Sequence, residues 1–160
     1  MLTKIRVKTD SEEETITVGK NLGVVLQPGD LITLKGNLGS GKTRLAKGII
    51  SGALGIPIDD VISPSFTLVN RYEGDLIIDH ADLYRVGPQA IEELGLMEVV
   101  YTNGALLIEW APDDIPILDS ELRVTVLNGE SEDSRALEFE YEVSGSWDGR
   151  FPEEIRNRSG

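Results

Sequence analysis

The strongest constraint in the chain lies between Leu31 and Thr43, Leu-Ile-Thr-Leu-Lys-Gly-Asn-Leu-Gly-Ser-Gly-Lys-Thr, where a short apolar run ends in a glycine-rich turn. Gly36-Asn37-Leu38-Gly39-Ser40-Gly41-Lys42-Thr43 fits G-x-x-x-x-G-K-[ST], the phosphate-binding P-loop. Gly36, Gly39 and Gly41 permit positive φ and close backbone approach, so successive N–H groups can turn inward around an anion. Leu38, Ser40 and Arg44 complete the nucleotide-binding set around them. Lys42 adds a charge toward the β- and γ-phosphates, and the Thr43 hydroxyl suits Mg²⁺. The motif needs a strand before it and a helix after it. Pro28-Gly29-Asp30 turns the chain into Leu31, Ile32 and Leu34, and Leu45, Ile49 and Ala53 recur at helical spacing before Gly55 and Pro57.

A chain of 160 residues reads as one domain, with residues 1–143 as a P-loop domain and 144–160 as a loosely ordered tail. The tail assignment follows from Gly145, Gly149, Pro152 and a low apolar content. The absence of cysteine excludes disulfides, zinc-thiolate sites and thiol catalysis, and one histidine excludes a multi-histidine metal site. No apolar run approaches membrane-spanning length and no signal peptide is evident, so a soluble, cytoplasmic protein without membrane contact is expected. The net charge of −13 argues against a sequence-independent grip on nucleic acid. Residues 113–160 hold 13 Asp or Glu against 5 Lys or Arg, read as a solvated, solubilising surface.

Taken in order, Leu2, Ile5 and Val7 indicate an edge strand to about Lys8. Ser11 and Glu14 form a capping box for a helix with Ile16, Gly19, Leu22, Gly23 and Leu26 on one face. After the P-loop helix, Ser63-Pro64-Ser65 is a turn, and residues 66–72 and 76–82 flank Glu73-Gly74-Asp75 as a hairpin. Pro88 to Tyr101 reads as one or two short helices and Ala105 to Glu109 as a buried strand. Residues 121–128 and 135–143 read as a closing hairpin around Asn128-Gly129.

A P-loop needs a carboxylate on the magnesium side, usually at the end of a buried strand. Asp79, Asp82 and Glu109 all qualify by pattern. Strand alternation puts His80 and Asp82 on one face and Asp79 on the other, while Glu109 ends the better-buried strand.

Gly36 to Thr43, then Ser63-Pro64-Ser65-Phe66-Thr67-Leu68, then His80-Ala81-Asp82-Leu83-Tyr84-Arg85, then Glu109-Trp110, together resemble the TsaE family, also called YjeE or YdiB, over about Ser11 to Glu142. The resemblance implies a three-layer α/β/α P-loop NTPase-like sandwich with a central mixed sheet. It also implies an ATPase using ATP and Mg²⁺, needed for t6A formation at position 37 of tRNA. In that family the partners are the TsaD and TsaB proteins, tRNA is involved only indirectly, and ATP drives turnover of the complex. Carried over residue by residue, Lys42 and Thr43 match the phosphate lysine and magnesium threonine, Glu109 the magnesium-side carboxylate and Asp82 a carboxylate near the γ-phosphate. Ser63 to Leu68 match a switch-like segment, and Trp110 the aromatic beside the site. Glu12 and Thr15 fall where the family's N-terminal helix approaches the nucleotide, and Arg135 where a late arginine does. Asp79 is outside the family's motif. Asn37 stands where many members have an acidic residue.

His80 and Arg85 lie near the site without an assigned role. His80 reads first as a hydrogen-bonded strand residue, and Arg85 as an electrostatic finger or a salt-bridge partner. Two other readings share the loop: a small-molecule P-loop kinase, and a nucleotide-gated binding switch without significant turnover.

Overall fold

Seven strands lie side by side in one mixed sheet in the order β1-β7-β6-β2-β5-β4-β3, where β1 is Leu2–Thr9, β2 Leu31–Lys35, β3 Val69–Glu73, β4 Ile77–Asp82, β5 Gly104–Glu109, β6 Glu121–Asn128 and β7 Arg135–Glu142. This computed structural model describes residues 1–112 and 116–159; Asp113 and Asp114, which count toward the acidic C-terminal stretch, lie outside them. The strand carrying the P-loop is central. It pairs in parallel with β5 on one side and β6 on the other, Leu34 standing opposite both Glu109 and Val124. β4 pairs in parallel with β5 so that Asp82 stands opposite Glu109. Strands buried on both faces read as continuous apolar runs rather than alternating ones, as Ala105–Ile108 does and Leu31–Leu34 does apart from Thr33, whose hydroxyl donates to Glu121.

Helices cover both faces, giving the α/β/α sandwich. On one face α1 (Glu12–Val24) and α2 (Lys42–Leu54) pack on Ile32, Leu34, Ala105, Leu107, Val124 and Phe139. On the other, the single-turn helices α3 (Ala90–Glu93) and α4 (Glu98–Tyr101) cover Leu31, Ala81, Leu106 and Ile108. On β1 the alternate residues Lys4, Arg6 and Lys8 are exposed, so they point away from the core that takes Ile5 and Val7. There two of them meet β7 carboxylates: Arg6 pairs with Glu138 at 2.7 Å and Lys4 with Glu140 at 3.8 Å, while the N-terminus pairs with Glu142 at 2.9 Å. The acidic surface expected of the C-terminal third is therefore partly a cross-strand ladder.

Half of the capping box forms, with Ser11 Oγ accepting from Glu14 N, while Glu14 Oε2 accepts from Asp10 N, one residue before the cap. Of the expected face of α1, Gly19, Leu22 and Gly23 are buried and turned toward α2, joined by Thr15 and Val18, while Ile16 is half-buried and Leu26 lies beyond the helix end. A Cβ on Gly19 would lie 2.6 Å from the Leu45 carbonyl, one on Gly23 2.1 Å from that of Ile49, one on Gly48 2.5 Å from that of Ile16 and one on Gly52 2.4 Å from that of Lys20. Two Gly-x-x-x-Gly faces thus bring the helix backbones together with no side chain between them.

Two expectations need correction. The hairpin strand begins at Val69 rather than Phe66, because Leu68 adopts φ 68° and cannot extend the strand. The tail from Ser144 is packed rather than loose: Trp147, Phe151 and Ile155 are fully or almost fully buried in the main core. Trp147 Nε1 donates to the Ser120 carbonyl, and Phe151 packs against Phe139 and Tyr141 at centroid distances of 5.2 and 5.6 Å. Arg150 stacks on Trp147 and forks onto Asp30 at 2.6 and 3.0 Å. Burial raises the Asp30 pKa, and these bonds oppose the shift. A short helix, α5 (Glu153–Arg156), ends the chain's packed part. The three anchors are spaced by four residues in a polar setting, so average composition conceals them.

Trp147→Ala is expected to cost about 3–5 kcal/mol, read as a lower urea midpoint at unchanged slope; a loose tail would give no change. Gly23→Ala is expected to lose about 1–3 kcal/mol from overpacking, with less than about 1 kcal/mol recovered from helix propensity.

Candidate functional site

The loop between β2 and α2 closes over its own lysine. Lys42 Nζ donates to the Gly36 and Asn37 carbonyls, each at 2.8 Å, and lies 3.4 Å from Ser40 Oγ. Gly36 is required there: a Cβ would meet the Val126 carbonyl at 2.4 Å. Gly41 caps α2 at φ 103°, which leaves the first N–H groups of the helix facing the loop. Burial holds the Lys42 ammonium below the ordinary lysine pKa, while Glu109 and Asp82 oppose that shift.

Two strand ends supply those carboxylates. Glu109, only 1 % exposed, accepts from Thr43 Oγ1 on Oε1 at 2.9 Å and pairs through Oε2 with His80 Nε2 at 2.6 Å. Asp82 lies abreast on β4, its Oδ1 accepting from Tyr84 N at 2.9 Å and its own N–H donating to the Leu68 carbonyl. The alternation read from the sequence holds for this strand. Asp79 faces the opposite layer, where Arg71 grips it at 2.7 and 3.0 Å. Beyond Glu109 the chain turns at Trp110, whose φ of 63° is unusual for a bulky side chain. The indole then lies under the Lys42 ammonium, 4.0 Å from ring centroid to Nζ, and against Tyr84 at 4.8 Å.

These groups line one cleft of about 330 Å³. Leu38, Gly39, Ser40, Gly41, Lys42, Thr43 and Arg44 form its floor, and Asp82, Glu109, Trp110 and Arg85 one wall. Glu12 and Thr15, at the start of α1, face them, with Glu12 3.9 Å from Arg44 and Thr15 tied to Thr9 at 2.7 Å. Arg135 reaches in from β7, donating through Nε to the Ser40 carbonyl and through Nη1 to those of Glu132 and Ser134. Those bonds make it a brace for the loop. Of the switch-like segment only Ser65 reaches the cleft. Phe66 stands 86 % exposed outside it, and the Arg85 guanidinium lies over its ring at 5.4 Å. Among the described residues Arg85 makes no ion pair. Ser63 bonds Ser65 at 2.7 Å, Thr67 bonds Asn70 at 2.6 Å, and Pro64 accepts from Leu68 N.

Tyr84 and Asp133 also line the cleft and had no role assigned from sequence. Tyr84 was accessible to the reasoning that placed Asp82, being two residues further along. Asp133 sits in the β6–β7 turn, where no periodicity marks a site.

A strand, a glycine-rich loop and a helix in sequence, with a carboxylate from the neighbouring parallel strand beside the loop threonine, define a P-loop NTPase-like α/β protein. The family model for "Threonylcarbamoyl adenosine biosynthesis protein TsaE" matches residues 9–137. The tRNA threonylcarbamoyladenosine biosynthesis protein TsaE of Bacillus subtilis is 36% identical over 137 residues, 85% of each chain, and that of Nostoc is 38% identical over 134 residues, 80% of each. The crystal structure of Bacillus subtilis YdiB superposes with a TM-score of 0.70 at 31% identity, covering 88% of this chain and 87% of that one. The chain belongs to the TsaE family. Among the described residues no helix is long and apolar enough to cross a membrane.

Because Asp79 and Asp82 face opposite layers, Asp79→Asn is expected to weaken folding by about 1–2 kcal/mol through the lost Arg71 pairing, read by urea denaturation.

Proposed function

We propose that the chain is a Mg²⁺-dependent, cytoplasmic ATPase that serves t6A formation at position 37 of tRNA by driving turnover of a TsaB–TsaD complex, touching tRNA only indirectly. The observation that carries this reading is the buried Glu109 carboxylate hydrogen-bonded to the P-loop threonine, with Asp82 abreast of it. Membership of the TsaE family supports the pathway, and the strong negative charge fits indirect contact with tRNA.

Phosphoryl transfer to water needs charge neutralisation and an oriented nucleophile more than covalent help. Lys42 and the N–H groups at the start of α2 would hold the phosphates, while the Ser40 N–H is engaged by the Asn37 carbonyl. The donor set fits Mg²⁺, since the Thr43 hydroxyl and a Glu109 oxygen are hard ligands and Mg²⁺ takes one or two such side chains together with phosphate oxygens and water. When bound, the ion neutralises charge on the phosphates. Asp82 orients the attacking water and accepts its proton. Arg135 keeps the loop backbone in place, and Trp110 limits the positions open to Lys42.

ATP hydrolysis is expected to be slow for the chain alone and faster with TsaB–TsaD; a high intrinsic rate unchanged by the pair refutes the coupling. Omitting the chain from a reconstituted t6A synthesis should stop product accumulation. Lys42→Ala is expected to abolish nucleotide binding. Asp82→Ala and Glu109→Ala should keep ADP affinity within about threefold while turnover falls roughly 10²–10⁴-fold, measured by titration and phosphate release.

A further inference from the structure

His80 is completely buried, and its ring makes one hydrogen bond where it has two nitrogens. Nδ1 has no partner among the described residues, while Nε2 is 2.6 Å from Glu109 Oε2. A carboxylate oxygen accepts, so Nε2 carries the proton. The ring is therefore an Nε2–H donor to the carboxylate. It is also a fixed one, because β4 is hydrogen-bonded on both sides here, with Asn70 and Leu107 opposite His80.

Glu109 needs such a fixture. It is the last residue of its strand, and the chain turns at Trp110 directly after it. The terminal torsion of a glutamate is broad and nearly two-fold, so one bond from the Thr43 hydroxyl would leave the carboxylate plane free to rock. Held at Oε2 by the ring, the group presents Oε1 to Thr43 and to the cleft.

We propose that His80 is a positioning residue that sets the Glu109 carboxylate for the divalent cation through its Nε2–H bond. This rests on the reading of the cleft as a Mg²⁺–nucleotide site. Partners of metal-ligating side chains typically change metal affinity by roughly 10–100-fold when lost, and the proposal assigns His80 an effect of that size without any contact to nucleotide.

Two variants separate positioning from packing. In His80→Gln the side-chain amide nitrogen reaches the place of Nε2; in His80→Asn it reaches only that of Nδ1. Mg²⁺ is titrated into each ADP-loaded protein, with ADP affinity measured first in chelator. The expected result is ADP affinity without Mg²⁺ equal to the parent in both, Mg²⁺ affinity within about threefold of the parent for Gln, and a loss of at least about tenfold for Asn. Parent-like Mg²⁺ affinity in folded His80→Asn, or equal loss in both variants, overturns the proposal. Absence of any Mg²⁺-dependent binding in the parent instead defeats the reading of the cleft, so the two failures are distinct.

If the variants do not fold, the unmodified protein still decides. His80 is the only histidine, so its ring nitrogens give one set of signals in long-range ¹H–¹⁵N spectra. A proton on Nε2 is expected, with the Nε2 signal shifting saturably as Mg²⁺ enters the ADP-loaded protein. An Nδ1–H tautomer, or a signal that Mg²⁺ leaves unmoved, overturns the proposal.

Discussion

A carboxylate this far from solvent must be hydrogen-bonded or neutralised, and the arrangement of the site depends on how Glu109 meets that condition. Its two oxygens are divided between Thr43 on the P-loop helix and His80 on the neighbouring strand. That division links the start of α2, the end of β5 and the middle of β4 through a single side chain. Register does the rest: Asp82 stands opposite Glu109, so a second carboxylate arrives at the loop without any separate device. Lys42, enclosed with both acids nearby, is the counter-charge that makes this concentration of negative charge tolerable.

The helix layer is held by a different constraint. Between α1 and α2 the closest approach is backbone to backbone, at Gly19, Gly23, Gly48 and Gly52. Side chains that interdigitate can change rotamer and absorb a shift; bare backbone cannot. Displacement of α2 at its loop end is therefore passed to α1, whose first turn carries Glu12 and Thr15 at the opposite lip of the cleft. Glu12 and Thr15 are thereby held in place across the cleft from the loop.

The sheet's central strands were legible because parallel strands buried on both faces are simple runs, and the P-loop because eight ordered positions leave little ambiguity. Asp82 and His80 were placed on one face by alternation alone. What stayed hidden depends on long-range partners. His80 could be read only as a strand histidine until Glu109, 29 residues later, was set opposite it. Family resemblance put Arg135 near the nucleotide, and it does line the cleft, but its bonds to backbone carbonyls were not legible in the sequence. Trp147, Phe151 and Ile155 were obscured by their polar neighbours, since averaging over a window erases three well-spaced anchors.

The pairing of β1 with β7 has a consequence for how the protein is made. Among the described residues the first strand finds its one sheet partner in residues 135–142, more than a hundred positions later, and Trp147 and Phe151 complete the core later still. On a ribosome adding about 5–20 residues per second, β1 waits for on the order of ten seconds with its backbone unpaired. Lys4, Arg6 and Lys8 serve during that interval as well as afterwards, because alternating positive charge discourages one nascent strand from pairing with another. Lys4 and Arg6 then receive acidic partners on β7, so part of the guard on the unfinished chain becomes a lock on the finished one.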